Sequence, residues 1–401
     1  MGSDLLKLAV TAVICLLVLP SVGCSSDCSS GGKAAPPIRF ATYNTGLAYN
    51  FVGYAKERRQ LLANAIADAD ADVLCLQEVW LDDDVTLITQ TAKTAFPHSY
   101  SVKTSDQGVG GPAACTETDA TALKGCVEAN CSTVTDSLAD CALSNCSKEY
   151  EAASPTCKTC LASNIGLNSI GDIFQACALG SASYAFGGRN GVVLLSKTPL
   201  EGTEMLEFES FLNKRVVLHA TTHAPSSLGS GAPRTHVFCT HLTAGLGSVA
   251  YSGKFGGWEQ EQAKQIDQLI AWAKQKAGGE RAVILGDMNC GPDVAGTDIK
   301  AEFGNNFKKY LDAGLQAPYL AAAKPLCTWC AENPLVTDGN NHVIDHILLL
   351  APWPGATVQT RRLFDAAASV DVKGKPLSVR LSDHYGAQVV VTPAVPPATC
   401  E

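Results

Sequence analysis

Val283-Ile-Leu-Gly-Asp-Met-Asn289 decides how this chain reads. A short apolar run of strand type closes on a glycine, then presents a carboxylate and an amide that an ordinary core strand does not choose. Residues two apart share one face of an extended chain, so the run predicts Asp287 and Asn289 side by side at a strand end. The form recurs. Phe40-Ala-Thr-Tyr-Asn44 ends in an amide, Val73-Leu-Cys-Leu-Gln-Glu78 in a carboxylate and Val237-Phe-Cys-Thr-His-Leu242 in an imidazole. Val343-Ile-Asp-His-Ile347 and Leu381-Ser-Asp-His-Tyr385 complete the set. One such strand end is unremarkable, whereas six predict that the ends gather at one edge of the sheets and form a site.

Around these runs the chain alternates strand-like and helix-like stretches. Strands are expected over 38–43, 73–76, 191–196, 215–222, 235–240, 282–285, 346–350 and 388–392. Leu62, Ile66 and Ala69, then Ile266, Leu269, Ile270 and Ala273, recur at the helical period over 56–69 and 259–276. Such an alternation predicts a layered α/β or α+β domain over residues 38–392. Residues 103–186 interrupt it and read as an insertion. Eight of the 17 cysteines fall there, with two similar units, Gly125-Cys-Val-Glu-Ala-Asn-Cys131 and Asp140-Cys-Ala-Leu-Ser-Asn-Cys146. Their spacing suits a disulfide-stapled helical hairpin. The alternative for Cys157-x-x-Cys160 is a zinc site, but a clustered histidine partner is missing. Eight cysteines allow 105 pairings, and the sequence assigns none. Cys75 and Cys239 lie inside apolar runs and read as buried thiols.

The first 23 residues read as an export signal: Lys7 precedes an apolar core over 8–19, followed by Ser21 and Gly23 as small residues for cleavage. Cys24 then sits where a bacterial lipoprotein carries its lipid, with Ser21 in place of the usual leucine. Residues 24–37 read as a flexible tether and 393–401 as a Pro-rich tail. An exported chain, extracellular or in the cell envelope, makes so many cysteines intelligible as disulfides. The 401 residues carry a formal charge of −9 and are 46% apolar. That balance excludes a wholly disordered chain and offers no basic footprint for sequence-independent DNA binding, while leaving a catalytic nuclease open.

The chemistry of the set suits phosphoester hydrolysis. Carboxylate and amide oxygens fit a hard cation such as Mg²⁺ or Mn²⁺. His241 and His384 can move protons near neutral pH, and Asp345 can hold an imidazole in one tautomer. Asn44 and Asn289 can orient water or donate to a phosphoryl oxygen. There is neither a Gly-x-Ser-x-Gly elbow nor a Gly-x-x-x-x-Gly-Lys-Ser/Thr loop.

Thr42-Tyr-Asn44, Leu76-Gln-Glu-Val-Trp80, Cys239-Thr-His-Leu242, Leu285-Gly-Asp-Met-Asn289, Ile344-Asp-His-Ile347 and Ser382-Asp-His384, in this order, resemble the endonuclease/exonuclease/phosphatase superfamily. The resemblance implies an α+β fold, a four-layer α/β/β/α sandwich carrying the cysteine-rich, helical insertion. It makes Glu78 the principal metal ligand with Asn44 and Asp383 beside it. It also makes Asp287 and Asn289 the residues that orient water and hold phosphate, and His384 the acid/base oriented by Asp345. His241 would contact phosphate or transfer a proton, and Arg189 and Asn190 would be phosphate contacts. A bridge among Cys290, Cys327 and Cys330 would resemble one in secreted deoxyribonucleases. Two branches compete for substrate. Gln77-Glu-Val-Trp80 and Thr240-His-Leu-Thr-Ala244 resemble neutral sphingomyelinases, with Tyr251, Phe255 and Trp258 as candidate membrane-facing residues; a secreted nuclease is the alternative. The expected agent is a monomer acting on a phosphodiester, phospholipid before DNA. The contrasting hypothesis is a non-catalytic surface binding module.

Overall fold

Alternation along each strand sorts the side chains into layers. The computed structural model describes residues 36–105, 112–134, 137–166, 169–180, 184–223, 234–247, 249–350, 353 and 355–394. The expected signal peptide, most of the tether and the tail from residue 395 lie outside the described residues. The strands run in chain order as β1 (Ile38–Asn44), β2 (Val73–Gln77), β3 (His98–Tyr100), β4 (Val193–Ser196) and β5 (Glu201–Phe208). Then come β6 (Arg215–Thr222), β7 (Thr235–His241), β8 (Arg281–Asp287) and β9 (Asp345–Leu350). The series ends with β10 (Thr357–Leu363), β11 (Ala367–Val372), β12 (Lys375–Arg380) and β13 (Gly386–Thr392).

One sheet has the order β10-β13-β1-β2-β4-β3 and the other β5-β6-β7-β8-β9; β11 and β12 form a separate hairpin. In β2, Val73 and Cys75 join an apolar cluster shared with Val237, Val283 and Leu285 of the second sheet, so these faces pack on each other. Leu74 and Leu76 point the other way, onto α1 (Ala55–Ala67) and α2 (Asp82–Thr91) through Leu62, Ile66 and Ile88. Ile284 and Leu348 likewise leave the second sheet toward Ile266, Leu269, Phe307 and Tyr310 of two later helices, Trp258–Ala277 and Gly304–Asp312. The result is the four-layer α/β/β/α sandwich.

Between β3 and β4 stand α3 (Glu117–Cys131), α4 (Leu138–Asn145), α5 (Ser147–Ala152), α6 (Pro155–Asn164) and α7 (Ile170–Leu179). The two helices of the second outer layer are therefore α8 (Trp258–Ala277) and α9 (Gly304–Asp312). Side-chain caps start four of the insertion's helices. Thr116 forms a capping box with Asp119, while Ser137, Ser154 and Ser169 each accept from the backbone N–H three residues on. Pro155 stands in the first turn of α6, where its missing N–H costs nothing. Disulfides pair Cys126 with Cys146 and Cys131 with Cys141, which staples α3 to α4, and pair Cys115 with Cys157 and Cys160 with Cys177. With both cysteines of Cys157-x-x-Cys160 oxidised to other partners, the zinc alternative falls.

One reading needs correction and two gain detail. Cys75 and Cys239 are not thiols; they form a fully buried disulfide that joins β2 to β7 across the sandwich. Each run looked self-sufficient as core, and nothing in either showed that the two stack face to face. Cys327 bonds Cys330 and leaves Cys290 a free, buried thiol. The loop aromatics pack on one another: Tyr251 and Trp258 both meet Phe211, Tyr251 Oη donates to Glu261, and Trp258 Nε1 donates to the Val249 carbonyl. Tyr251, Phe255 and Trp258 are all half-buried.

The bridge between the sheets closes a loop of 164 residues. The Cys75→Ala/Cys239→Ala double variant is expected to lose about 2–5 kcal/mol of stability, because the unfolded chain regains the loop's freedom. Denaturant midpoints measured with the other disulfides kept oxidised will check this; an unchanged midpoint excludes the bridge as a stabilising element.

Candidate active site

Strand register brings the polar residues together. His241 pairs with Asp287 across the parallel β7–β8 ladder, and Asp287 pairs with Asp345 across the antiparallel β8–β9 ladder. The three therefore form one row across the second sheet. His241 continues the parity of Val237 and Cys239, and Asp287 that of Val283 and Leu285, so both stand in the layer between the sheets. Asn44 closes β1 on the facing sheet with the parity of Phe40. Its Nδ2 donates to Asp287 Oδ2 (2.9 Å) and Glu78 Oε1 (3.2 Å), and its Oδ1 accepts from the Gly46 backbone N–H (3.0 Å). One amide thus spans the two sheets.

His384 enters this row from the segment before β13. Its Nδ1 lies 2.9 Å from Asp345 Oδ2, its Nε2 lies 3.8 Å from Asp287 Oδ2, and Trp329 packs edge-on against the ring. Burial disfavours the charged ring, but Asp345, Asp287 and Asp383 outweigh it and raise the imidazole well above its ordinary range. Burial also raises the Asp287 carboxyl, helped by Asp345 and opposed by His384 and Asn44, to about 7. Glu78 is raised by burial and by Asp383. His241 behaves oppositely: burial, Arg215 and His384 push it well below its usual value. Its Nε2 lies 3.5 Å from Asp287 Oδ2, while Nδ1 is buried without a partner.

Backbone geometry aims several of these groups. Glu78 follows β2 at φ 58° and Asn289 follows β8 at φ 48°, both left-handed. The extended arrangement expected for Asp287 and Asn289 therefore ends at Asp287. The chain then turns, the Asn289 N–H donates to Asp287 Oδ1 (2.9 Å), and Asn289 Nδ2 donates to the Leu242 carbonyl (3.0 Å). Gly46, at φ 53°, lets the β1 loop pass Asp383, since a Cβ there would come 2.4 Å from Asp383 Oδ1.

Arg189 and Asn190 spend their bonds elsewhere. Asn190 Nδ2 donates to the Val102 carbonyl and Thr104 Oγ1, and its Oδ1 accepts from Val192, so the side chain ties a loop to β4. Arg189 pairs with Asp82. Neither bonds any residue of the row.

Two arginines were missed. Arg215, first residue of β6, is buried with Nε and Nη1 unpartnered, in the field of Glu78, Asp287 and Glu261; burial lowers it to about 10. Arg58 of α1 is buried too and donates to the carbonyls of Gly46, Gly53 and Leu381, binding the loop after β1 to the segment before His384. A charged residue opening the apolar run Arg215-Val-Val-Leu218 was the available signal. Trp80 adds a buried, unpartnered Nε1 and lies 6.2 Å from the His241 ring.

The donors fit a hard divalent cation. They are oxygens, Asp345 Oδ1 is buried without a partner, and the Glu78 and Asp287 carboxyls are raised by burial first and by a neighbouring acid second, a charge environment that a cation would relieve. Asp287, Asp345 and His384 have ligand atoms within 4.8 Å of one another. The Glu78 and Asp383 carboxylates act on each other beside this group and offer further oxygen donors.

A buried row of carboxylates and imidazoles at the strand ends of such a sandwich is the equipment of a phosphoester hydrolase. The model of the Endonuclease/Exonuclease/phosphatase family matches residues 41–384, and the chain belongs to that family. No curated protein matches the sequence significantly. Among solved structures, sphingomyelinase C from Streptomyces griseocarneus is similar at TM-score 0.51 and 18% identity, over 89% of this chain and 99% of that one. SmcL is similar at TM-score 0.52 and 15% identity, over the same shares. These likenesses are of fold.

Asp287→Asn and His384→Ala are each expected to lower hydrolysis by roughly 10²–10⁴-fold with the fold retained; undiminished turnover of either excludes this row as the reacting site. Asp287 adds a pH test. Its folded value near 7 lies above the ordinary 3.8, so its contribution is intact below the lower value and is lost as pH rises through the upper one. In chelator, Asp287→Asn is expected to unfold at higher denaturant than the parent above neutrality, with the difference vanishing toward pH 4. A pH-independent difference contradicts the raised carboxyl.

Proposed function

We propose that the chain is an exported, Mg²⁺-dependent phosphodiesterase that cleaves phospholipid by water attack. The observation that carries the chemistry is the placing of His384, whose Nδ1 lies 2.9 Å from Asp345 Oδ2 and whose Nε2 faces Asp287 Oδ2 at 3.8 Å; the carboxylates around it raise the imidazole, and burial raises the Asp287 carboxyl to about 7. An acid and a base with separated proton affinities are what hydrolysis of an unactivated ester needs.

Asp287 orients the attacking water and takes its proton as the new P–O bond forms. His384 gives its proton to the leaving oxygen as the old bond breaks. Arg215, with two free donor atoms, neutralises charge on the phosphoryl oxygens, and neutral His241 donates through Nε2 or accepts at its free Nδ1. Asn44 keeps Glu78 and Asp287 at a fixed separation. Glu78 and Asp383 would hold the cation, which supplies Lewis-acid polarisation of the phosphoryl group. Asn289 braces Asp287 through its backbone N–H.

Lipid is favoured over DNA because one fold relative is a sphingomyelinase, the Glu78 and His241 motifs resemble that branch, and the acidic chain offers no basic track. The disulfides suit an oxidising compartment, and no described helix is long and apolar enough to cross a membrane.

The oxidised mature chain should release phosphocholine from sphingomyelin vesicles with Mg²⁺ and not with chelator, and should leave supercoiled DNA intact. Glu78→Gln should lower release by about 10²-fold or more. Nicking without phosphocholine release assigns the chain to the nucleases; inactivity on both substrates favours the binding module.

A further inference from the structure

Cys327-Thr-Trp-Cys330 is closed on itself by a disulfide and lies against both members of the His384–Asp345 pair. Thr328 is fully buried, and its Oγ1 accepts from the backbone N–H groups of Ile344 and Asp345 (3.2 Å each), where β9 begins. Its carbonyl accepts from the N–H of Tyr385 (2.7 Å), the residue after His384. The Trp329 ring stands edge-on to the His384 imidazole, with centroids 5.0 Å apart. Beyond the bridge, Asn333 Nδ2 donates to the carbonyls of Ser382 (2.8 Å) and Asp383 (3.1 Å). Asp345 and His384 are 39 residues apart in the chain, and this one segment bonds the backbone on both sides of their contact.

The bridge acts locally. Its cysteines are three residues apart, against 10 to 164 for the five other bridges among the described residues, so it restrains the unfolded chain least. What it fixes is the turn that presents Thr328 and Trp329. It also has the surroundings of a reducible bond. Cys327 is half-buried, whereas Cys330 is fully buried. Arg362 Nη1 lies 3.5 Å from Cys330 Sγ and 3.9 Å from Cys327 Sγ, and Glu332 Oε2 lies 3.9 Å from Cys327 Sγ. A cation beside Cys330 stabilises a thiolate there, which makes it the better leaving sulfur.

We propose that the Cys327–Cys330 loop positions the His384–Asp345 pair and that a dithiol reductant releases it, lowering turnover. A thiolate of the dithiol attacks Cys327 Sγ, the Cys327–Cys330 bond breaks, and Cys330 leaves as a thiolate beside Arg362. The dithiol's second thiolate then closes its own disulfide and frees Cys327, so two electrons and two protons pass from the dithiol to the pair. The effect on turnover rests on the Asp287–His384 row being the reacting site; the positioning itself does not.

The test uses the full chain with its other bridges oxidised. In chelator, the ring signals of its eight histidines are followed by NMR, and the His384 signal is the one missing from His384→Ala. Cys327→Ala/Cys330→Ala and Thr328→Val should each shift that signal, and Thr328→Ser should restore it. With Mg²⁺ and bis(p-nitrophenyl) phosphate, the double variant and Thr328→Val should lower kcat by roughly tenfold at little changed KM, because a misplaced acid–base pair costs rate and not binding. Dithiothreitol should lower the parent's kcat equally and the double variant's no further, with Cys327 and Cys330 becoming alkylated by iodoacetamide as activity falls. An unmoved His384 signal, or an unchanged kcat in an active chain, overturns the positioning. Activity loss that tracks another bridge, or that recurs in the double variant, overturns the release by reduction. A shifted signal in a chain without hydrolysis keeps the positioning and removes the hydrolase reading.

Discussion

Four carboxylates, those of Glu78, Asp287, Asp345 and Asp383, converge in a layer from which water is largely excluded, and the rest of the molecule is arranged to permit this. Uncompensated, such a cluster would cost several kcal/mol per charge or protonate. Compensation comes from three elements at once: His384 before β13, Arg58 on α1 and Arg215 opening β6 each face two or more of these acids. Burial, and after it the neighbouring acids, still raise the Glu78 and Asp287 carboxyls. A divalent cation is the natural complement to that excess, so the electrostatics and the donor chemistry point the same way.

Holding like charges together requires that the two sheets not slide, and the inter-sheet disulfide meets that need. Cys75 lies three residues before Glu78 and Cys239 two residues before His241, so the bridge fixes the strands that carry both groups close to where they act. Asn44 repeats the clasp one layer nearer the reacting atoms with its bonds to Glu78 and Asp287. Covalent bridge, apolar interior and amide together leave the acids little freedom to separate.

The polar residues at strand ends were legible because a buried strand rarely ends in Asp, Glu or His, and because parity along the strand carries each into the inter-sheet layer. β6 was legible from its β-branched and apolar run Val216-Val-Leu218 and Ala220, and it is buried at every position. β5 and β10 were not: both are sheet edges with mostly exposed, mixed side chains, so their pairing comes from neighbours and not from their own pattern. Arg215 escaped because a cation at a strand end usually meets solvent. The turn at Asn289 escaped because positive φ in a non-glycine residue is set by tertiary bonds, here to Asp287 and Leu242. The Cys75–Cys239 partnership needed the register of two sheets whose contacting strands lie far apart in the chain.

The insertion stands closer to the chemistry than its separate core would imply. Phe186, where it returns to the sandwich, stacks on Trp80 with ring centroids 4.6 Å apart, and Trp80 lies against His241 and follows Glu78 by two residues. Gly191 has no side chain because Trp80 fills that space: a Cβ there would meet the indole at 2.8 Å. Trp80 is therefore held between an element of the sandwich and an element of the insertion, and a displacement of either reaches the Glu78 turn through one rigid ring. Packed interiors transmit such shifts because they lack the voids to absorb them.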